Sequence, residues 1–294
     1  MTDRRQQGLP ARAAESVEDD GSGRRPLVLV HGMSSSARAW DPLLPYLRGS
    51  RVVHAVTLPG HRGGEPIGPR RPISTRDYVD AVERQLNTLG VTEAHLVGNS
   101  LGGWVALQLA GRGRPRSVVC LAPAGGWAAG GTFDRFLAAQ FSLACWACRR
   151  LTAPGGGRLT NDPRVRRALL RGMVAKPDRV TDEQFEELVL DIAQCEALRR
   201  SISRPESRDV ASVPGIACPV LIAWSDCDRI LVSRTSRRRL AAQVGRPEVR
   251  ILPGVGHVPM GDDPALVSQV ILKFAAEADS APPSLEPAEQ GERA

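Results

Sequence analysis

The sequence GNSLGG at residues 98–103 joins a short apolar run, 94–97, to a helical pattern that continues through 104–107. A serine between small residues at a strand-to-helix turn projects its hydroxyl at the edge of a sheet. Larger flanking side chains would collide with the adjoining strand and helix. The G-x-S-x-G spacing therefore makes Ser100 a candidate nucleophile. The alternative is a serine packed in an ordinary strand-to-helix turn.

Short, unbroken and β-branched apolar runs recur along the chain, as is typical of strands buried on both faces of a parallel sheet. Helical patterns separate most of them, and Ser74 with Asp77 forms a capping box before one helix. Alternating strands and helices predict the α/β class: a mostly parallel sheet of about six to eight strands flanked by helices. The runs lie at 26–31, 51–56, 94–97, 117–121, 219–224 and 248–252.

One part of the chain breaks this alternation. Three helical patterns, 132–150, 163–174 and 181–201, follow one another with no strand between them. We expect an all-helical cap over the carboxyl edge of the sheet, where open α/β sheets bind ligands. The expected organisation is a core of 26–123 and 207–277, a cap of 124–206, a disordered leader of 1–25 and a disordered tail of 278–294.

The composition argues against two classes of partner. The net charge is +7, but the basic residues are spread along the chain among 32 acids, and the only tight run is 237–239. This pattern favours a solvated surface over a nucleic-acid interface. No apolar stretch approaches the roughly 20 residues of a membrane span. We expect no nucleic-acid partner, no membrane span, and a monomer or homodimer.

The six cysteines favour structural thiols in a reducing cytoplasm. Cys145 and Cys148 have redox spacing, but they lie in a helical pattern with no strand before it. A zinc site would need a second pair with similar spacing. The leader has no apolar segment typical of a signal peptide. We therefore expect a cytoplasmic protein without a metal.

A serine hydroxyl is a poor nucleophile unless a neighbouring base takes its proton, and in this kind of fold the base follows the nucleophile. Of the five histidines only His257, in GVGHVP, lies beyond Ser100. The base in turn needs a carboxylate to orient it. Asp226 and Asp228 both follow the strand at 219–224, and we favour Asp228.

An oxyanion hole would complete the site with backbone N–H groups aimed at the developing charge. Leu101, directly after the nucleophile, supplies one N–H group. Met33 supplies the other from the loop after the first strand, where Gly32 permits a tight bend. We expect His31 to hold this loop through a hydrogen bond, and His61 to be structural.

The chain resembles the α/β-hydrolase family over residues 26–277. The resemblance implies the fold, a Ser-His-Asp triad and a helical cap, and the acid position of the family aligns with Asp228. Two departures are Thr57, where the family commonly has an acid, and a leader without the usual two-strand hairpin. A sheet of only six strands would have an edge that needs covering. The matching stretches are VHGM (30–33), LPGHR (58–62), GNSLGG (98–103), SDCD (225–228) and GVGHVP (254–259).

These features predict a serine hydrolase that cleaves a carboxylic ester or related acyl compound through an acyl-enzyme, with no cofactor. A carbon–carbon bond hydrolase, an acyltransferase and a perhydrolase use the same triad. A non-hydrolytic ligand-binding protein of this fold is a further alternative. An epoxide hydrolase or dehalogenase would place an acid at the nucleophile position, so Ser100 argues against both.

The substrate is expected to be a small apolar ester or acyl compound. Ser34, Trp40, Asn99 and Phe136 are the candidate substrate-binding residues. The apolar positions of the first cap helix either pack the cap on the core or form a wall of the substrate pocket. These positions are Phe133, Phe136, Leu137, Phe141 and Trp146.

Overall fold

A parallel sheet of six strands, in the order β2-β1-β3-β4-β5-β6, organises the part of the chain that the computed structural model describes. The described residues are 24–68, 73–154, 162–203, 213 and 215–281. All six predicted apolar runs form strands, which confirms the α/β class. The strands are β1 (Leu27–Val30), β2 (Val53–Val56), β3 (Ala94–Asn99), β4 (Pro115–Leu121), β5 (Val220–Ser225) and β6 (Glu248–Leu252).

Helices cover both faces of the sheet, as right-handed crossovers between parallel strands require. Among the described residues, side chains cap five of the helices. Ser74, for example, caps the second helix through a capping box with Asp77. The helices are α1 (Leu44–Leu47), α2 (Thr75–Thr88), α3 (Leu101–Ala110), α4 (Thr132–Thr152), α5 (Pro163–Leu170), α6 (Asp182–Gln194), α7 (Glu196–Ser203), α8 (Arg234–Val244), α9 (Pro259–Asp262) and α10 (Pro264–Ser280), with 3-10 turns at Ala37–Leu43 and Pro177–Arg179.

The core consists of two apolar layers, one on each face of the sheet. Alternate residues of β1 enter different layers: Val28 and Val30 pack in the layer that also contains Trp104, and Leu27 and Leu29 in the other. Trp40 is fully buried beside Leu27 and Leu29, in the layer that also holds α10 residues. Trp40 is therefore a core residue, which corrects its expected place in the substrate site.

The cap lies between β4 and β5, and its described residues contain helices and no strand. The pattern at 181–201 was expected to be one helix, but it forms α6 and α7. Cys195 separates them in an extended conformation (φ −70°, ψ 101°). The break lets the N–H group of Ala197 donate to the Gly60 carbonyl of the core at 3.0 Å. The contact of Ala197 with the core thus explains why α6 ends at Gln194.

The last helix runs to Ser280, three residues past the expected boundary at 277. Asp279 explains the extension, because its carboxylate pairs with Arg51 at 2.6 Å and contacts the Nε2 atom of His95 at 3.1 Å. Arg25 also belongs to this cluster, with Asp279 at 3.3 Å. Residues 1–23 of the expected leader and 282–294 of the expected tail lie outside the described residues. Among the described helices, none has the length and apolar character to cross a membrane.

Candidate active site

Ser100 occupies a strained turn between β3 and α3. Its φ and ψ are 54° and −115°, a region that residues other than glycine rarely adopt. The turn is held from two sides: the Ser100 N–H group donates to the Leu121 carbonyl at 3.0 Å, and the Ser100 carbonyl accepts from the Ala124 N–H group at 2.9 Å. This is the strained strand-to-helix turn that the G-x-S-x-G spacing predicts.

The glycines around Ser100 are required by close backbone contacts. A Cβ atom at Gly98 would lie 2.2 Å from the Gly102 carbonyl oxygen, and one at Gly102 would lie 2.0 Å from the Val30 carbonyl oxygen. A Cβ atom at Gly103 would lie 2.9 Å from Pro123. Strand and helix therefore approach too closely for side chains, which is the reason inferred from the sequence.

His257 and Asp228 form a buried pair at the carboxyl edge of the sheet. The Nδ1 atom of His257 lies 3.0 Å from Oδ2 of Asp228, and the other carboxylate oxygen accepts the N–H groups of Ile230 (2.8 Å) and Leu231 (2.9 Å). Burial by itself raises the pKa of a carboxyl group, but His257 and the two N–H donors outweigh burial and lower the pKa of Asp228. Asp228 therefore stays ionised beside the imidazole.

The environment of Asp226, the competing acid, differs from that of Asp228. Its side chain is exposed, and it accepts the Gly254 N–H group at 2.8 Å. This contact joins the end of β5 to the loop after β6. Of the two acids, the described structure places Asp228 against His257.

Asn99 links the serine turn to the histidine loop. Its side-chain amide donates to the Leu121 carbonyl at 3.0 Å and to the His257 carbonyl at 2.9 Å. Because Asn99 directly precedes Ser100, these bonds hold the His257 loop beside Ser100. The side chain expected to bind substrate is thus occupied by backbone groups, and its structural role is to position the loop.

The loop after β1 lies beside Ser100, as an oxyanion hole requires. A Cβ atom at Gly32 would lie 3.2 Å from the Cβ atom of Ser100. His31 fixes this loop: its Nδ1–H group donates to the Gly32 carbonyl at 2.7 Å, and its Nε2 atom accepts the Leu58 N–H group at 3.0 Å. Burial and the nearby His61 lower the pKa of His31 to about 3, so the ring is neutral and can accept.

The loop after β2 is also anchored by hydrogen bonds. The Thr57 hydroxyl accepts the Ala37 N–H group at 3.2 Å, so this departure from the family pattern still joins the loops after β1 and β2. His61 is buried in the same loop: its Nδ1 atom bonds to the Pro59 carbonyl at 3.1 Å, and burial lowers its pKa to about 4.

An apolar cavity of about 140 Å³ lies beside Ser100. Met33 and Leu101, the two residues expected to supply the oxyanion-hole N–H groups, line it together with Ser100. Leu137 and Phe141 of α4 close it from the cap side. The apolar stripe of α4 therefore supplies two residues of the cavity wall.

Ser34 and Phe136, the remaining candidate substrate-binding residues, are not among the residues that line this cavity. Ser34 is buried in a left-handed conformation (φ 59°), and its hydroxyl donates to the Met33 carbonyl at 2.6 Å. Phe136 stacks on Phe133 and is 45% exposed on the outer side of the cap. Neither side chain therefore faces the cavity beside Ser100.

Asp262 is a site residue that the sequence reasoning missed. It is fully buried, and its carboxylate accepts N–H groups from Gly256 (2.7 Å), Lys176 (2.7 Å) and Ala175 (2.9 Å). Gly256 directly precedes His257, and the other two donors belong to the cap. In the sequence, the only indication of this role was an acid five residues after His257. Its carboxylate joins the histidine loop to the cap.

Two arginines were also missed. Arg237, in the basic run, lies over the Trp224 ring at 4.8 Å and places its Nη2 atom 3.6 Å from Oδ2 of Asp228.

Arg62 joins the core to the cap, because its Nε atom lies 2.5 Å from Oδ1 of Asp191 in α6. Ser36 donates to the other oxygen of Asp191 at 2.8 Å. Burial raises the pKa of Asp191 despite these partners.

Comparisons with known proteins agree with this architecture. A model of the alpha/beta hydrolase family matches residues 27–270. A thermophilic esterase from Thermogutta terrifontis has a similar structure, with a TM-score of 0.65 at 18% identity, covering 86% of this chain and 90% of that chain.

Two curated relatives are similar in sequence. Epoxide hydrolase EphH of Mycobacterium tuberculosis (strain ATCC 25618 / H37Rv) is 33% identical over 210 residues, which are 70% of this chain and 96% of that protein. The pimeloyl-[acyl-carrier protein] methyl ester esterase of Neisseria meningitidis serogroup C / serotype 2a is 30% identical over 215 residues, 70% of this chain and 76% of that protein. With the fold and the family match, these similarities show that the chain belongs to the alpha/beta hydrolase family and is a hydrolase.

Proposed function

We propose that this hydrolase cleaves carboxylic esters with a small apolar acyl group, through a covalent acyl-enzyme on Ser100. One observation carries the proposal: the buried His257–Asp228 pair lies at the same sheet edge as the strained Ser100, and Asn99 ties the two loops together. The adjoining apolar cavity supports the choice of substrate. The similarity to a methyl ester esterase supports the reaction class.

In the proposed mechanism the Ser100 hydroxyl attacks the ester carbonyl while the Nε2 atom of His257 takes its proton. Asp228 accepts the Nδ1–H group of His257 and stabilises the imidazolium. The N–H groups of Met33 and Leu101 stabilise the oxyanion. Protonated His257 then gives its proton to the departing alcohol, leaving the acyl group on Ser100. Water, deprotonated by His257, then attacks the acyl-enzyme. The Ser100 oxygen leaves with the proton from His257, and the acid is released.

A serine nucleophile favours ester over epoxide chemistry, although one curated relative is named as an epoxide hydrolase. An epoxide opened by Ser100 would leave an ether on the enzyme, and an ether has no carbonyl for water to attack. An ester carbonyl instead leaves an acyl-enzyme that water can hydrolyse. A carbon–carbon bond hydrolase, an acyltransferase and a perhydrolase remain alternatives on the same residues, and product analysis distinguishes them from an esterase.

The cavity limits the size of the acyl group. An apolar protein cavity of about 150 Å³ holds one benzene molecule, and the cavity beside Ser100 is about 140 Å³. We therefore propose an acyl group of about six carbons. Each buried methylene contributes about 0.8 kcal/mol, so each added carbon up to this limit should raise kcat/KM about fourfold.

A series of p-nitrophenyl esters from acetate to palmitate tests this proposal. We expect kcat/KM to rise to about the hexanoate and to fall for longer chains. Ser100→Ala should lower turnover by several orders of magnitude. Ser142→Ala is the matched control, because the Ser142 hydroxyl bonds only within its own helix, to the Ala138 carbonyl, in the described contacts. Near-normal ester hydrolysis by the Ser100→Ala variant would contradict the mechanism.

We also propose that the protein works in a reducing compartment such as the cytoplasm. All six cysteines are free thiols, and Cys227 is exposed. Burial raises the pKa of the Cys195 thiol to about 12 and that of Cys218 to about 11, so these two groups are unreactive near neutral pH.

A further inference from the structure

Helix α4 carries an exposed apolar stripe on the side that faces away from the core. Phe136, Leu143 and Trp146 are 45%, 65% and 58% exposed. At about 100° per residue the three positions fall within an arc of about 80°. Large exposed side chains aligned on one helix face are typical of an interaction surface rather than of ordinary solvated positions. We call Phe136, Leu143 and Trp146 the outer stripe of α4.

Positive charge flanks the outer stripe. The Arg150 guanidinium lies 5.6 Å from the centre of the Trp146 ring, and Arg149 and Arg199 line the surface groove beside it. The one acid of α4, Asp134, is buried. The described outer face of α4 therefore combines apolar side chains with arginines, and no acid of this helix offsets their charge there.

An aromatic row connects the outer stripe to the cavity. Trp127 lines the cavity beside Ser100. Phe133 packs edge-on against Trp127, with ring centres 5.6 Å apart, and Phe136 stacks on Phe133 at 6.2 Å. An apolar surface thus runs from the cavity wall to the outside of the cap.

We propose that the outer face of α4 docks this protein on an anionic lipid surface. Leu143 and Trp146 enter the boundary between headgroups and acyl chains, and Arg149 and Arg150 contact the lipid phosphates. Basic amphipathic helices bind in this way, and tryptophan side chains favour the headgroup level. A lipid surface suits a convex helix because lipids adjust to its shape, whereas a protein partner would need a complementary groove. Docking itself does not depend on catalysis.

The aromatic row links docking on lipid to delivery of substrate, and this step alone rests on the proposed function. In this proposal an apolar ester dissolved in the lipid moves along the row of Phe136, Phe133 and Trp127 to the cavity beside Ser100. An apolar ester held in a lipid phase should therefore be hydrolysed faster than the same ester at its limiting concentration in water.

Co-sedimentation with vesicles tests the docking. The Ser100→Ala variant is used throughout, so that no lipid is hydrolysed and failure of the proposed function leaves the result unaffected. We expect it to bind vesicles of equal phosphatidylglycerol and phosphatidylcholine, to bind pure phosphatidylcholine at least tenfold more weakly, and to be released by 0.5 M salt. Adding Leu143→Glu and Trp146→Glu should weaken binding to the anionic vesicles at least tenfold.

Two exposed apolar residues on another surface provide the matched control. Val249 and Ile251 of β6 are 50% and 60% exposed, and their replacement by glutamate should leave vesicle binding unchanged. In the active protein, Leu143→Glu and Trp146→Glu should leave hydrolysis of a water-soluble acetate ester unchanged, which shows that the cap is folded. Absence of binding to anionic vesicles at low salt, or equal losses in the α4 and β6 variants, would overturn the proposal. So would binding to an acidic protein but not to vesicles.

Discussion

At the scale of single residues, the two acids of the SDCD sequence offer a matched pair. Asp228 is buried against His257, whereas Asp226 is exposed and accepts the Gly254 N–H group. Asp228→Asn should lower kcat for ester hydrolysis by about 10⁴-fold, because an amide neither fixes the imidazole tautomer nor stabilises its charge. Asp226→Asn should lower kcat less than tenfold. Equal losses in the two variants would contradict the assignment of Asp228.

The glycines of the serine turn give a second prediction at this scale. Gly102→Ala would place a Cβ atom 2.0 Å from the Val30 carbonyl oxygen, so β1 and α3 would have to separate. We expect the free energy of unfolding to fall by more than about 3 kcal/mol, since overpacking of this kind forces backbone shifts. Gly172→Ala is the control, because nothing lies within 4 Å of its Cβ position. Urea denaturation measures both, and a stable Gly102→Ala protein would refute the close contact.

Residues whose role follows from backbone geometry were predictable from the sequence. Gly98, Ser100 and Gly102 belong to a turn whose sterics permit few alternatives, and His257 was the only histidine after Ser100. The substrate-binding residues were not predictable in the same way. Whether Trp40 or Phe136 points toward the cavity depends on how whole elements pack, which local sequence does not specify.

At the scale of elements, Asp262 joins the histidine loop to the cap through three N–H donors. In Asp262→Asn the side-chain NH₂ group would face at least one of these donors. We expect the free energy of unfolding to fall by about 1–3 kcal/mol, the usual result of a buried donor without a partner. We expect kcat to fall too, because Gly256 positions His257.

Asp263→Asn is the control for this prediction. Asp263 caps α10 by accepting the Leu266 N–H group at 3.0 Å, and asparagine caps helices about as well as aspartate. Thermal unfolding and ester kinetics on both variants measure the two effects. An Asp262→Asn protein as stable and active as the Asp263→Asn protein would contradict the role of Asp262.

Element boundaries were predictable where the signal is local. The capping box at Ser74 starts α2 at the expected residue, and α6 begins directly after Thr181, where the helical pattern of 181–201 was expected to start. The break at Cys195 was not predictable, because it depends on the Gly60 carbonyl, which lies far away in the chain. Asp279 extends α10 for the same kind of reason, through its long-range contact with Arg51.

At the scale of the whole molecule, buried neutral histidines make stability depend on pH. Burial lowers the pKa of His31 to about 3, and those of His61 and His95 to about 4. In the unfolded chain these rings take up protons below about pH 6.5. Unfolding therefore binds protons between about pH 6.5 and 4, so stability should fall as the pH falls through this range.

Urea denaturation at pH 7, 6 and 5 measures this dependence. Each such histidine contributes a slope of at most about 1.4 kcal/mol per pH unit. His61→Asn should therefore lose stability less steeply than the wild type. Aspartates with lowered pKa values, such as Asp228, lose their contribution only at lower pH, below the ordinary carboxyl pKa. Equal stability at pH 7 and pH 5 would contradict the buried neutral state.

The central claim is that Ser100 is a nucleophile activated by His257. A fluorophosphonate probe tests it most directly, because the probe reacts only with an activated serine. Peptide mapping after labelling should find the adduct on the peptide that contains Ser100, with no adduct in Ser100→Ala and much slower labelling in His257→Gln. An enzyme that hydrolyses esters while its adduct lies on another serine, unaffected by Ser100→Ala, would contradict the account.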